Sequence, residues 1–127
     1  MRPGEELIGA INSYCGGHGI RSAIVIGLIG SLERARLNYL LALPGKYTGV
    51  DYAGPLEIVS GQGSIALKGN DVVAHVHIQV AGLKGCHGGH LVEATVFSTA
   101  EVVLGELDYQ LRREPDQHTG LNELLPR

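Results

Sequence analysis

The sequence predicts a single α+β domain in which one N-terminal helix packs on a mainly antiparallel β-sheet. Three observations lead to this prediction. The chain has 127 residues, the length of one ordinary domain. Its 19 glycines, with one phenylalanine and no tryptophan, leave valine, isoleucine and leucine to build the core. Runs of these residues between glycines are typical of strands joined by tight turns, whereas one segment alone has clear helical spacing.

That segment predicts a helix over residues 4–15. Pro3 and Gly4 are followed by two glutamates, which would face the positive end of the helix dipole. Apolar residues from Leu7 to Tyr14 then recur with helical spacing. The glycine pair at 16 and 17 would end the helix.

The next part of the chain predicts two strands and a loop. Residues 23–29 form a continuous apolar run between glycines, which is typical of a strand buried on both faces. Residues 34–41 alternate between polar and apolar side chains, so they predict a half-buried strand. Residues 45–54 are predicted as an exposed loop.

The second half of the chain predicts five further strands, at residues 56–60, 64–67, 72–80, 91–97 and 100–107. The first two would form a hairpin across Gly61, Gln62 and Gly63. A glycine-rich loop is predicted over residues 82–90. Residues 112–120 are polar and predict a tail, and the leucines at 121, 124 and 125 would dock it on this chain or on a neighbouring subunit.

Charge, hydropathy and cysteine content exclude several classes of protein. Ten Lys and Arg stand against 13 Asp and Glu, so the chain lacks the basic excess of an electrostatically driven nucleic-acid binder. The longest apolar run is too short to span a bilayer, and the N-terminus lacks the apolar segment of a signal peptide. Cys15 and Cys86 make no disulfide framework, so the expected compartment is the cytoplasm.

Three histidines are the strongest candidates for a metal site. His75 and His77 are two positions apart in a predicted strand, so they share a face and lie about 6.6 Å apart along the chain. His90 begins the next strand, after a glycine pair that lets the chain fold back tightly. Three imidazoles without a fourth ligand are typical of an open zinc site, with metal affinity falling below about pH 6 as the rings protonate. The alternative is a solvated polar face.

Other polar residues allow two interpretations each. Glu57 and Glu101 lie inside apolar strands, where a carboxylate either faces water or lies near the metal as a base or as a partner of a histidine. Arg34 and Arg36 share one strand face and form either a small anion patch or a solvated pair.

The remaining histidines carry weaker signals. His87 and Cys86 lie in the predicted glycine-rich loop before His90, where many orientations are open to them. His18 and His118 have no partner in the pattern and are predicted to be solvated.

Five short motifs follow one another in a specific order: Leu56-Glu57-Ile58-Val59-Ser60, Gly61-x-Gly63-x-Ile65, His75-x-His77, Gly88-Gly89-His90-Leu91 and Ala100-Glu101-Val102. This order resembles the plants-and-prokaryotes-conserved (PPC) domain of the stand-alone prokaryotic type. The resemblance extends from about Gly4 to Leu107, so we assign residues 1–111 to a PPC-like domain and residues 112–127 to a C-terminal tail.

The resemblance implies a fold of the AF0104 and acetolactate decarboxylase type, a homotrimer, and zinc held by His75, His77 and His90. Prokaryotic members are commonly labelled DNA-binding by analogy with plant proteins in which AT-hooks precede the domain. No AT-hook (Arg-Gly-Arg-Pro) occurs in this sequence. DNA binding is therefore expected to be weak at most, and no membrane partner is expected.

Two functions from different classes remain; we predict the first, and the second is the alternative. The first is a zinc-binding, homotrimeric interaction module of the PPC type. The second is a small zinc-dependent enzyme of the hydrolase or decarboxylase type, with a small molecule at the metal and Glu57 or Glu101 carrying a proton. A cleft at the metal with a glutamate and an arginine pointing into it would favour the enzyme, and a flat, solvent-filled site would favour the module.

Overall fold

The computed structural model describes residues 1–126, which form one helix and six strands. In chain order these are α1 (Leu7–Gly17), β1 (Ala23–Ala42), β2 (Lys46–Lys68), β3 (Asp71–Gly82), β4 (Gly85–Glu106), β5 (Leu111–Pro115) and β6 (Asn122–Pro126). The predicted class, a mainly antiparallel sheet with one N-terminal helix, is confirmed. Within the described residues, no helix has the length and apolar composition needed to cross a membrane.

The helix begins later than predicted because Glu6 caps it. The Glu6 carboxylate accepts hydrogen bonds from the backbone N–H groups of Ile8 (3.2 Å) and Gly9 (2.6 Å). These are donors of the first turn, which have no acceptor within the helix. The same carboxylate accepts from the N–H of Ala94 at 3.1 Å, so it also ties the helix to β4.

The four long strands close into a ring. The hydrogen-bonded order is β1-β4-β3-β2-β5-β6, and β1 additionally pairs with β2. All pairs within the ring are antiparallel. The core fills the ring and is closed by α1, which lies against β3 and β4 and contributes Leu7, Ile11 and Cys15.

The hairpin predicted at Gly61–Gly63 is wrong, and so is the loop predicted at residues 45–54. Both segments belong to the continuous strand β2. A Cβ on Gly61 would lie 2.8 Å from the Cβ of Leu28 in the core, and a Cβ on Gly63 would collide with the carbonyl oxygen of His75. These glycines permit close packing of neighbouring strands, which is the second role of glycine besides turns.

The two strands predicted at residues 91–97 and 100–107 form one strand, β4, which also absorbs most of the predicted loop at residues 82–90. The chain reverses only at Leu83 and Lys84, since Gly82 is already paired with Gly85. Register shifts in the β1–β4 pairing, near Leu32, let such long strands bend around the core.

The prediction that residues 23–29 are buried on both faces is wrong. Val25 and Leu28 face the core, whereas Ile24 is 43%, Ile26 58% and Ile29 55% exposed. A strand in the wall of a ring has one face toward the core and one facing outward. Together with Val103 of β4, which is 56% exposed, these isoleucines form what we call the outer apolar face.

Residues 111–126 form a hairpin of β5 and β6 that we call the C-terminal hairpin. The tail predicted over residues 112–127 corresponds to this hairpin, except for residue 127, which lies outside the described residues. It joins β2 through a parallel pairing of Arg112 with Leu67. The buried residue Leu111 donates its N–H to the Ser22 hydroxyl at 3.1 Å, and Gly45 donates its N–H to the carbonyl oxygen of Thr119 at 2.9 Å. The hairpin is thereby held against the end of the ring.

Candidate metal centre

His75 and His77 project from the outward face of β3. The intervening Val76 is fully buried and Ile78 is 4% exposed, so the alternation of the strand is the predicted one. Burial of the valine and isoleucine fixes the register, because a shift by one residue would bury both histidines and expose the core residues.

His90 lies directly opposite His77 in the antiparallel pairing of β3 with β4. Directly opposed residues of an antiparallel pair share a face. The predicted route was wrong, because Gly88 and Gly89 lie inside β4 and do not fold the chain back. The tight reversal at Leu83 and Lys84 sets the register that brings the two histidines together.

The three imidazoles form a compact cluster. Their ring centroids are 5.2 Å apart for His75 and His77, 4.8 Å for His75 and His90, and 5.4 Å for His77 and His90. One ring nitrogen from each lies within 4.8 Å of the others. Nitrogens on a tetrahedral zinc ion lie about 3.3 Å apart, so the rings need to approach one another by at most about 1.5 Å to hold one ion.

The surroundings keep two of these imidazoles neutral. Burial lowers the pKa of His75 to about 4, with further contributions from the positive charge of Arg113 and from the other two rings. Burial, His77 and Arg113 also lower the pKa of His90. A neutral ring is the form that ligates a metal, so the electrostatics of the cluster fit a metal site.

Arg113 of β5 reaches the cluster from the C-terminal hairpin, and sequence analysis missed it. Its Nη2 donates to the Ser64 hydroxyl at 2.8 Å and lies 3.0 Å from Nδ1 of His75. Its Nη1 donates to the carbonyl oxygen of Asn122 at 3.1 Å. No sequence signal separates Arg113 from its neighbour Arg112, because strand pairing alone decides which guanidinium turns toward the histidines.

A cavity of about 390 Å³ opens beside the cluster. The polar side chains that line it include Asn38, Tyr47, Lys68, His75, His90 and Arg113. Among the described residues, none of those lining this cavity carries a carboxylate. The site therefore combines three imidazoles that could hold a metal ion with two cationic side chains.

Neither candidate glutamate belongs to this site. Glu57 is exposed on β2, opposite Ser31 and Ala81, and Glu101 is exposed on β4, opposite Ile29. Neither lines the cavity beside the histidines. Their positions match the interpretation in which the carboxylates face water.

The weaker candidates also lie outside the cluster. His87 stacks on Tyr52 with ring centroids 4.3 Å apart, and His18 stacks on Tyr14 at 4.1 Å. Cys86 is exposed.

The two arginines of β1 are paired with acids. Arg34 contacts Glu93 at 2.7 Å, and Arg36 contacts Asp51 at 2.6 Å. These carboxylates neutralise the anion patch that the strand pattern allowed.

Fold and site together define a class of protein: a small antiparallel ring with one covering helix and an outward three-histidine cluster beside an open cavity. The sequence places the chain within that class. It belongs to the Plants and Prokaryotes Conserved (PCC) domain family, here abbreviated PPC, whose sequence pattern matches residues 1–108. The family resemblance noted in the sequence is confirmed.

Individual relatives agree with this family. The bifunctional protein GlmU from Synechococcus sp. (strain JA-3-3Ab) is 31% identical over 98% of this chain, which spans only 19% of the length of that curated relative. A PPC protein from Pyrococcus horikoshii is 33% identical, with a TM-score of 0.87 over 98% of this chain and 88% of its own. AF0104 from Archaeoglobus fulgidus, described as metal-containing, is 27% identical, with a TM-score of 0.85 over 98% and 89%.

A structure from Bacteroides thetaiotaomicron, whose name proposes DNA binding, has a TM-score of 0.91 over 98% of this chain and 87% of its own. At 24% identity it supports the fold alone. The family match ends at residue 108, before the C-terminal hairpin that carries Arg113, whereas the similarity to the Pyrococcus horikoshii PPC protein covers 98% of this chain.

Proposed function

We propose that this chain is a zinc-binding PPC module that works as a homotrimer. One observation carries the metal assignment: three histidine nitrogens converge within 4.8 Å on the outward face of a rigid antiparallel pair. Two of the rings have lowered pKa values, so each is neutral at neutral pH and has one ring nitrogen with a lone pair. The description of AF0104 as metal-containing agrees with this proposal.

The donor set favours zinc over the hard cations. Magnesium and calcium prefer carboxylate and carbonyl oxygens, whereas imidazole suits zinc and its neighbours in the first transition row. Three protein ligands leave at least one coordination position for water or an added ligand. When bound, the metal would supply a Lewis acid at the mouth of the cavity.

Elemental analysis tests the metal assignment. Purified protein, loaded with zinc and dialysed against metal-free buffer at pH 7.5, should retain about one zinc ion per subunit. If circular dichroism shows that the protein is folded and it retains far less than one zinc ion per subunit, the proposal is refuted.

The outer apolar face supports self-association. Ile24 and Ile26 lie close together at Gly105, where a Cβ would meet Ile26 at 2.9 Å and Ile24 at 3.3 Å. Val103 is two positions before Gly105 on β4 and therefore lies on the same face. Contiguous exposed apolar surface of this kind marks interaction sites. The family resemblance supplies the number of three subunits, and DNA remains at most a weak partner of the module.

Arg113 favours a second candidate, a small zinc-dependent hydrolase or decarboxylase. A guanidinium 3.0 Å from a ligand imidazole, at a cavity of about 390 Å³, can hold a charged substrate or stabilise developing negative charge. Neither candidate glutamate is present there to move a proton. Zinc-dependent turnover of an activated carboxylic ester, lost in His77→Ala, would favour the enzyme over the module.

A further inference from the structure

The geometry points to a small oxyanion, a carboxylate or phosphate group, as the ligand that Arg113 selects at the three-histidine site. This inference rests on the proposed metal site and adds its ligand class. It also assigns a specificity-determining role to the C-terminal hairpin.

The hydrogen bond between Arg113 and His75 cannot persist when His75 binds a metal. An arginine can only donate, so Nδ1 of His75 accepts in the 3.0 Å contact with Nη2, and the ring hydrogen is on Nε2. A ligating His75 leaves no lone pair for this contact. If Nδ1 ligates, its lone pair goes to the metal, and if Nε2 ligates, Nδ1 carries the hydrogen. Either way, one N–H of Arg113 is released for another acceptor beside the metal.

The guanidinium is held in place by contacts that do not involve His75. Ser64, which is 9% exposed, accepts from Nη2, and the Asn122 backbone carbonyl accepts from Nη1. Hydrogen bonds at both terminal nitrogens fix the plane of a guanidinium, and a fixed guanidinium recognises oxyanions better than a mobile ammonium group does. The released donor therefore stays next to the cluster.

The charge of the cavity gives the ligand its sign. Lys68 lines the same cavity as Arg113, and no carboxylate is found among its described lining residues. The chain as a whole carries a formal charge of −3, so the positive charge of this cavity is opposite in sign to the net charge of the chain. A bound metal ion adds to that positive charge.

The place of Arg113 in the fold separates it from the metal-binding residues. The three histidines come from β3 and β4, whereas Arg113 comes from β5 of the C-terminal hairpin. The histidines would hold the metal, and the hairpin would choose what binds to it.

Cobalt substitution provides the test. The full chain, loaded with Co²⁺ in place of zinc, is titrated with oxalate and, separately, with inorganic phosphate, while the visible absorption of the cobalt is recorded. The variants are Arg113→Met, Arg113→Lys and the matched control Arg112→Met. Arg112 lies on the same strand, and its guanidinium contacts Gln110 instead of the cluster.

We expect cobalt content to stay equal in all four proteins. Affinity for the preferred oxyanion should fall about tenfold or more in Arg113→Met, by less in Arg113→Lys, and not at all in Arg112→Met. The stronger of the two titrations in the unsubstituted chain identifies the group as a carboxylate or a phosphate.

Equal oxyanion affinity in the unsubstituted chain and in Arg113→Met, at full cobalt content, would overturn the inference and leave the metal site standing. Failure of the unsubstituted chain to bind cobalt or zinc would overturn the metal site and this inference with it. Circular dichroism checks each fold. If Arg113→Met does not fold, an unchanged affinity in Arg113→Lys would overturn the inference.

Discussion

A histidine becomes a ligand through its position and direction, since all six histidines of the chain have the same chemistry. His77 is exposed, but it lies on a strand whose other face is locked in the core, and it directly opposes His90. His118 is also exposed and lies outside the three-histidine cluster.

We therefore expect His77→Ala to abolish stoichiometric zinc binding, because two imidazoles remain where three are needed. His118→Ala should keep about one ion per subunit. Elemental analysis after dialysis compares the two variants. Equal zinc content in both would mean that the cluster is only a polar face.

The lowered pKa of His75 predicts how stability depends on pH in the metal-free chain. The folded chain holds this pKa at about 4, whereas an unfolded chain has the ordinary value of about 6.5. Between these values the unfolded state binds the extra proton, so the free energy of unfolding should fall as pH decreases from about 6.5 to 4. Above this window His75 contributes no pH dependence.

Urea unfolding followed by circular dichroism, with a metal chelator present, measures this effect. His75→Gln keeps a polar, uncharged side chain and should lose less stability across the window than the unsubstituted chain does. Parallel pH profiles for the two proteins would contradict the assignment.

At the scale of elements, the pairing of β2 with β3 positions His75. Gly63 of β2 lies so close to β3 that a Cβ would collide with the His75 carbonyl oxygen. Gly63→Ala should therefore force the strands apart and cost about 1–3 kcal/mol in the free energy of unfolding. The zinc content should fall as well, because the displaced backbone carries a ligand.

Gly16→Ala is the matched control for Gly63→Ala. Gly16 lies in α1, and a Cβ there meets nothing within 4 Å. Alanine is the better helix former, so this change should stabilise the chain by roughly 0.5–1 kcal/mol. Urea unfolding measures the stability of both variants. If Gly63→Ala is as stable as Gly16→Ala, the strands can move apart without cost and the prediction is wrong.

At the scale of the whole molecule, the outer apolar face predicts self-association. Light scattering at micromolar concentration should give about three times the subunit mass of 13.5 kDa. Ile26→Asp places a charge at the centre of the face and should dissociate the oligomer. Leu83→Asp, at the fully exposed β3–β4 turn, is the control and should leave the mass unchanged.

A stable monomer of the unsubstituted chain would contradict this prediction. A trimer that persists in Ile26→Asp would place the interface on another surface.

The distribution of charge predicts weak and unspecific DNA binding by this chain. Acids outnumber basic residues by 13 to 10, and Arg34 and Arg36 are already paired with carboxylates. With few phosphate contacts, the dissociation constant at physiological salt should be about 10⁻⁴ M or weaker. A gel-shift titration that showed tight, sequence-dependent binding at that salt would contradict this expectation.

Local pattern in the sequence determined the fold class and the direction of the histidines of the three-histidine cluster. Alternation in β3 places Val76 inside and His77 outside whatever the rest of the chain does, because the two faces of a strand differ in burial. The seven predicted strand segments lie in strands of the structure, yet several of the breaks between them were predicted wrongly. A glycine in a turn and a glycine at a close strand contact look the same in sequence, and Gly63 was of the second kind.

Only the tertiary structure decided what surrounds the histidines. Arg113 reaches His75, 38 positions earlier in the chain, because β5 pairs with β2, and no local pattern records this contact. Closure of the ring by β1 and β2 turned the isoleucines of β1 outward. The apolar run by itself had predicted that they would be buried. The periodicity of a sequence shows which residues share one face of a strand. Which residues pack against that face depends on pairing between distant segments, and the energy of that pairing depends on the whole packed chain.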